Sequence, residues 1–173
     1  MGAVLEFDVT LKDGASVHIR PIRPADEHSL VEIFHRSSPQ TVYQRFFTAL
    51  PELTPSMARH LSNVNATDRL ALVAETGDQH IGVARYERTD DPDVVELALV
   101  IVDDWQNRGL GRILLREILR AAGRNGIHRF RADVLAENRR MLRLLATEGR
   151  ILDRKTGAGV TTVLLSFPGT GTI

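Results

Sequence analysis

Apolar and polar positions alternate along VTLKDGASVHIRPI (residues 9–22) on either side of Asp13-Gly14, which predicts a β-hairpin. The period then changes. In RPADEHSLVEIFHRSS, Leu30, Ile33 and Phe34 recur at helical spacing behind Asp26, a residue type suited to the helix cap. TPSMARHLSNV predicts a second helix, with Pro55 in its first turn. RLALVAE and QHIGVARYERT predict two strands joined across Thr76-Gly77-Asp78. Residues 94–102, VVELALVIV, are apolar on both parities except at Glu96, as expected of a central strand covered on both faces. GLGRILLREILRAAGRNG predicts a helix with a glycine stop, HRFRADVL a strand, AENRRMLRLLATEG a second capped helix, and VTTVLLSF a closing strand. PGTGTI is expected to be a frayed end.

The order is a hairpin, two helices, three strands, a helix, a strand, a helix and one or two strands. It describes a mixed α/β layer structure. At 173 residues, without repeat or linker, the chain is expected to be one domain spanning 1–173. A formal net charge of zero gives no reason to expect nucleic acid or an anionic membrane as partner. No stretch approaches the roughly 20 apolar residues of a membrane span. The N-terminus lacks the apolar run of a signal peptide, and Glu6 stands where a myristoylation signal carries Ser or Thr. The absence of cysteine excludes disulfides, cysteine-ligated zinc and a cysteine nucleophile, and suits a cytoplasmic protein. No histidine spacing indicates a metal site. Twenty arginines stand against two lysines, Lys12 and Lys155; a coding bias accounts for this, and so does an enzyme that acts on lysines.

WQNRGLGR, residues 105–112, places Gly109 and Gly111 where a strand gives way to a helix. A helix N-terminus carries unpaired N–H groups and the positive end of the dipole, and so binds phosphate. Bare backbone at the two glycines, with Arg108 and Arg112 adding charge, suits that role; a plain tight turn is the alternative. P-loop and dinucleotide signatures are both incomplete here. Of the arginines at 108, 112, 116, 120 and 124, the last three read as a solvated face with Glu117 as a counter-charge.

QNRGLG resembles the Gln/Arg-x-x-Gly-x-Gly/Ala signature of the GNAT superfamily of N-acetyltransferases. DGASVHIRPIRPADE, SSPQTVYQRFF and DDWQNRGLG are similar to the catalytic domain of bacterial Pat-type protein lysine acetyltransferases. This resemblance implies a central, mostly antiparallel sheet with a splayed parallel strand pair and about four helices. It implies acetyl-CoA as cosubstrate and no metal. The backbone of Leu99, Val100 and Ile101 would meet the pantetheine arm. Gln106, Asn107, Arg108, Gly109, Leu110, Gly111 and Arg112 would hold the pyrophosphate, and Asn138 would contact the cofactor further along, besides capping its helix.

Transfer to an amine needs a neutral nitrogen, and a free lysine is neutral only about 4 times in 10,000 at pH 7, a deficit of roughly 4.6 kcal/mol. A general base offsets much of that. As an acid among apolar residues, Glu96 is either a desolvated base or a residue at a wet strand end. The resemblance places the catalytic glutamate at Glu96; Glu87, at the end of the preceding strand, is the fallback, and Asp103 and Asp104 read as turn residues. Many members carry a tyrosine seven residues after the Asn, as general acid; here that residue is Leu145, and the tyrosines are Tyr43 and Tyr86. Phe46-Phe47 is expected in the core, with a cofactor clamp as the alternative. The acceptor is expected to be a protein lysine. A small amine, or a non-catalytic domain that senses acyl-CoA, are the alternatives.

Overall fold

The computed structural model describes residues 6–168; most of the segment expected to fray, and residues 1–5, lie outside the described residues. Strands β1 (Phe7–Thr10) and β2 (Ser16–Pro21) form the first hairpin, turning through Gly14 at φ 91°. Helices α1 (Glu27–His35), α2 (Pro39–Phe46) and α3 (Pro55–Ser62) follow, then β3 (Arg69–Thr76), β4 (Gln79–Arg88) and β5 (Val95–Ile101). Helix α4 (Leu110–Arg124), β6 (Arg129–Leu135), α5 (Arg139–Glu148), β7 (Arg150–Gly157) and β8 (Val160–Ser166) complete the described chain. The eight strands make one sheet in the order β1-β2-β3-β4-β5-β6-β8-β7, antiparallel except between β5 and β6.

Helix α4 holds one face. Its Leu110, Leu114, Leu115, Ile118 and Leu119 are all buried to 1% exposure or less, and each contributes about 1.5–3 kcal/mol. Leu114 packs at Gly82 of β4, where a Cβ would lie 3.2 Å from its Cδ1. The opposite face, carrying Val83, Arg85, Ala98 and Val100, is covered by α1, α2 and α3.

Five α-helices stand where about four were expected. The addition is α2, eight residues long, started by the Ser38 hydroxyl, which accepts from the Thr41 N–H at 3.2 Å, and by Pro39. Asp26 does not cap α1 with its side chain. It is buried, and its carboxylate takes both terminal nitrogens of Arg20 at 2.8 Å and the Arg23 N–H at 2.7 Å. A guanidinium buried on β2 is a stronger partner than a helix amide open to water. The Phe46-Phe47 pair is divided. Phe46 packs on Phe34 with ring centroids 6.5 Å apart, whereas Phe47 turns left-handed at φ 57° and lines the cleft described next.

Candidate active site

Only two residue pairs join β5 to β6, Val95 with Phe130 and Glu96 with Arg131. Beyond them β6 stays with β8 along its whole length while β5 stays with β4, so the sheet splits. The split opens a cleft of about 400 Å³, within the usual range for a small-molecule site. Glu96 to Ile101 form one wall, Ala132 to Val134 the other, and the starts of α4 and α5 close one end.

The Val102 N–H donates to the Ile81 carbonyl at 3.0 Å, which fixes the alternation of the β4–β5 ladder. Val100 is thereby paired with Val83, and the backbone groups of Leu97, Leu99 and Ile101 turn toward β6, which has moved away. Of the three residues assigned to the pantetheine arm, Leu99 and Ile101 thus offer backbone on this edge, and Val100 offers its side chain. The Ile101 carbonyl already accepts from Gln106 Nε2 at 2.9 Å.

Gln106 acts as a bracket. Its Nε2 also donates to the Thr41 hydroxyl at 3.1 Å, and its Oε1 accepts from Arg140 at 3.3 Å, so one amide ties β5, α2 and α5 together. Asn107 at φ 62° and Gly109 at φ 89° turn the chain into α4. No side chain caps that helix, which leaves the N–H groups of Leu110, Gly111 and Arg112 without helical partners. The two glycines differ. A Cβ at Gly109 would meet nothing within 4 Å, so its need is the left-handed backbone. A Cβ at Gly111 would lie 3.4 Å from Ile101 and 3.7 Å from Leu99 and Leu144, so here α4 sits close to β5 and α5.

The flanking arginines are held by carboxylates. Arg108 pairs with Asp13 at 2.5 Å and stacks 3.9 Å over the Trp105 ring. Arg112 and Arg116 share Glu148 at 2.5 and 2.9 Å. Arg116 therefore belongs to a buried-carboxylate clamp and not to a solvated face; Arg120 pairs with Glu117 at 2.8 Å as a surface pair. Asn138 caps α5, its Oδ1 accepting from the Met141 N–H at 3.2 Å, and also lines the cleft.

A free strand edge beside an uncapped helix start is a place for an extended amide-bearing arm that ends in a phosphate. The acetyltransferase (GNAT) family matches residues 28–148. The chain belongs to that family. It is 32% identical over 149 residues to the acetyltransferase PA5475 of Pseudomonas aeruginosa, covering 84% of this chain and 80% of that one. It is 27% identical over 155 residues to the acetyltransferase Pat of Mycolicibacterium smegmatis, covering 88% of this chain but 46% of that one, so it spans about half of that relative. The GNAT domain of S. lividans PAT superposes with a TM-score of 0.86 at 30% identity, covering 94% of this chain and 97% of that one. The chain is an acetyl-CoA-dependent N-acetyltransferase.

Within this GNAT fold Glu96 lies at the root of the split, opposite Glu87 on β4. Its carboxylate is 47% exposed and 3.4 Å from Arg131. Of the two readings of Glu96 the wet position is the one found, because Val95 and Leu97 turn to the opposite face from Glu96. Glu87 is held by Arg69 at 3.1 Å and lies 3.7 Å from Arg85, and it is absent from the cleft walls. Asp103 does more than turn the chain: it accepts the Ser38 N–H at 2.7 Å and so fixes the start of α2. Burial would raise its pKa, but the Ser38 and Thr41 hydrogen bonds lower it.

Leu145 is fully buried in the core, and Tyr86 is buried with its hydroxyl donating to the Thr67 carbonyl at 2.9 Å. Neither reaches the cleft, and Tyr43 is exposed outside it. Sequence reasoning missed Thr41, Arg45, Phe47, Met141, Arg143 and Leu144 in the cleft walls. The arginines after Asn138 were a usable signal, being bases in the first turns of a helix whose cap had already been singled out. Arg45 and Phe47 lie in the stretch SSPQTVYQRFF that carries the resemblance, but with α2 unrecognised nothing there placed their side chains at the cleft.

Proposed function

We propose that the chain is a cytoplasmic protein lysine acetyltransferase that transfers acetyl directly within a ternary complex, with Glu96 as general base. The observation that carries this is the position of Glu96: the carboxylate at the root of the cleft, where the open edge of β5 begins. Acetyl-CoA supplies an activated thioester. The residues suited to hold it are Leu99 and Ile101 through their backbone and the amides of Leu110, Gly111 and Arg112 at the start of α4, with Asn138 and Arg143 further along the cleft.

Glu96 takes a proton from the acceptor ammonium, directly or through water, and its exposure lets that proton pass on to solvent. The freed nitrogen lone pair then forms the N–C bond to the acetyl carbonyl carbon as the C–S bond breaks, and the nitrogen gives up its second proton to water or to the departing thiolate. A thiol has a reference pKa of about 8.5, so its thiolate leaves without a dedicated acid, in keeping with Leu145 in the core. The similarity to the Pat acetyltransferases and the scarcity of lysine in this chain support a lysine acceptor.

The test is acetyl-labelled acetyl-CoA with a cell extract, using the protein and Glu96→Gln. Label on discrete protein bands, lost in the variant, is expected. Label confined to small molecules would replace the lysine with a small amine. Acetyl-CoA binding without transfer would make the chain a sensor.

A further inference from the structure

A second, smaller pocket lies beside the cleft and shares Arg45, Ala98 and Val100 with it. Its other walls are apolar residues of α1, α2, α3 and the sheet, among them Leu30, Ile33, Phe46 and Leu61. Arg45 and Arg85 are its charged residues, and no carboxylate lines it. The Arg85 side chain is 6% exposed; its Nη2 donates to the Leu61 carbonyl at 2.9 Å, while its Nη1 is buried without a hydrogen-bond partner. Arg45 lies over the Phe46 ring at 4.7 Å and has no carboxylate within 4.0 Å among the described residues.

Such an arrangement is costly without an anion. A buried donor left unpaired loses its hydration and gains nothing in return. Two guanidiniums that face one apolar pocket also repel each other. Burial pushes Arg85 down to about 10, and burial lowers Arg45 as well. Glu87 is an incomplete answer, because it is already bonded to Arg69 and stands 3.7 Å from Arg85. The pocket volume is about 40 Å³, several times the roughly 10–15 Å³ that one water needs, and enough for a carboxylate. Arg85 and Glu87 lie directly across the ladder from Ala98 and Glu96, so the pocket adjoins the base on the same sheet face.

We propose that the pocket between Arg45 and Arg85 is an acceptor subsite that binds a carboxylate carried by the substrate close to its reacting amine. This rests on the cleft being the place of transfer at Glu96. In a protein acceptor the carboxylate is an Asp or Glu flanking the lysine; in a small acceptor it is that of an amino acid. A simple diamine has no anion to offer the two guanidiniums.

The test uses substrate twins that differ only in the carboxylate: a lysine peptide with Glu near the lysine against the same peptide with Gln, and phenylalanine against phenethylamine. With acetyl-CoA and thiol release as the readout, the carboxylate twin is expected to be favoured about 10-fold or more in kcat/KM, the effect of one charge-assisted hydrogen bond. The preference should fall toward parity in Arg45→Gln and recover in part in Arg45→Lys. Lysine peptides acetylated equally with and without the acid would overturn the subsite and leave the lysine acceptor standing. A carboxylate preference in the amino-acid pair, with neither lysine peptide acetylated, would keep the subsite and overturn the lysine acceptor. Preference for phenethylamine and the Gln peptide would overturn the subsite. Independently of turnover, succinate should perturb the amide resonances of Ala98 and Val100 in the wild type and not in Arg45→Gln. Absence of binding at millimolar succinate also overturns the proposal.

Discussion

Gly109 and Gly111 stand one residue apart, yet alanine at each should change stability in opposite directions. Gly109 holds φ 89° and ψ −2° at the entrance to α4, and a Cβ there meets nothing within 4 Å. The cost of Gly109→Ala is therefore conformational, about 1–2 kcal/mol for forcing an L-residue into left-handed backbone. For a domain of this size that lowers Tm by roughly 2–8 °C. Gly111 has ordinary helical backbone, and its Cβ would make normal contacts with Ile101, Leu99 and Leu144. Gly111→Ala should gain about 0.5–1 kcal/mol, mainly by restricting the unfolded chain. The position also explains why an alanine is acceptable at the last place of the family signature. Urea and thermal unfolding of the two variants would measure these changes. A Gly109→Ala protein as stable as the wild type, or a Gly111→Ala protein less stable than it, would falsify the account.

Glu148→Gln should destabilise the protein by about 1–2 kcal/mol near neutral pH, the two guanidiniums on it being partly exposed. Burial would raise the Glu148 pKa, but hydrogen bonds from Arg116 and Arg112 hold it below 4.5, so its contribution is present above the ordinary value and is lost as pH falls through the folded one. Acid titrations of unfolding should show the variant with the shallower loss. Asp26→Asn leaves Arg20 with Glu75 as its one remaining carboxylate and should cost about 1–3 kcal/mol by urea unfolding. Tyr86→Phe removes a hydroxyl bonded to Thr67 and Asn125; chemical unfolding should report a loss of about 1–2 kcal/mol while turnover stays unchanged, and a large loss of turnover would make Tyr86 a participant in the reaction.

What could be read from the sequence was whatever is written locally. The hairpin at Asp13-Gly14, the strand at 94–102 and the stripe of α4 each carry their period within a few residues, and the structure has all of them. Helix α2 escaped because eight residues make barely two turns, too few for a 3.6-residue period to stand out; Ser38-Pro39 was its clearest signal. Partnerships across the chain were invisible. Nothing near Asp26 announces Arg20 as its partner in place of a helix amide, and nothing near Arg112 and Arg116 points to Glu148. The exposure of Glu96 stayed open between a desolvated and a wet position, since it depends on where β6 leaves β5 and not on the residues beside it.

The two-residue seam between β5 and β6 also bears on how the molecule assembles. Strands β1 to β5 pair in chain order and β6 to β8 form a second antiparallel group, so both halves are built from comparatively near neighbours. Joining them needs a crossover through α4 and yields two residue pairs, an entropic cost with a small immediate return. The cleft is then among the last parts of the protein to form and the first to come apart under mild denaturant. Amide exchange should be fastest along Leu97 to Ile101 on the side facing β6 and slow in β3 and β4. Bound acetyl-CoA, by bridging the seam, would protect the whole chain from unfolding in proportion to its occupancy.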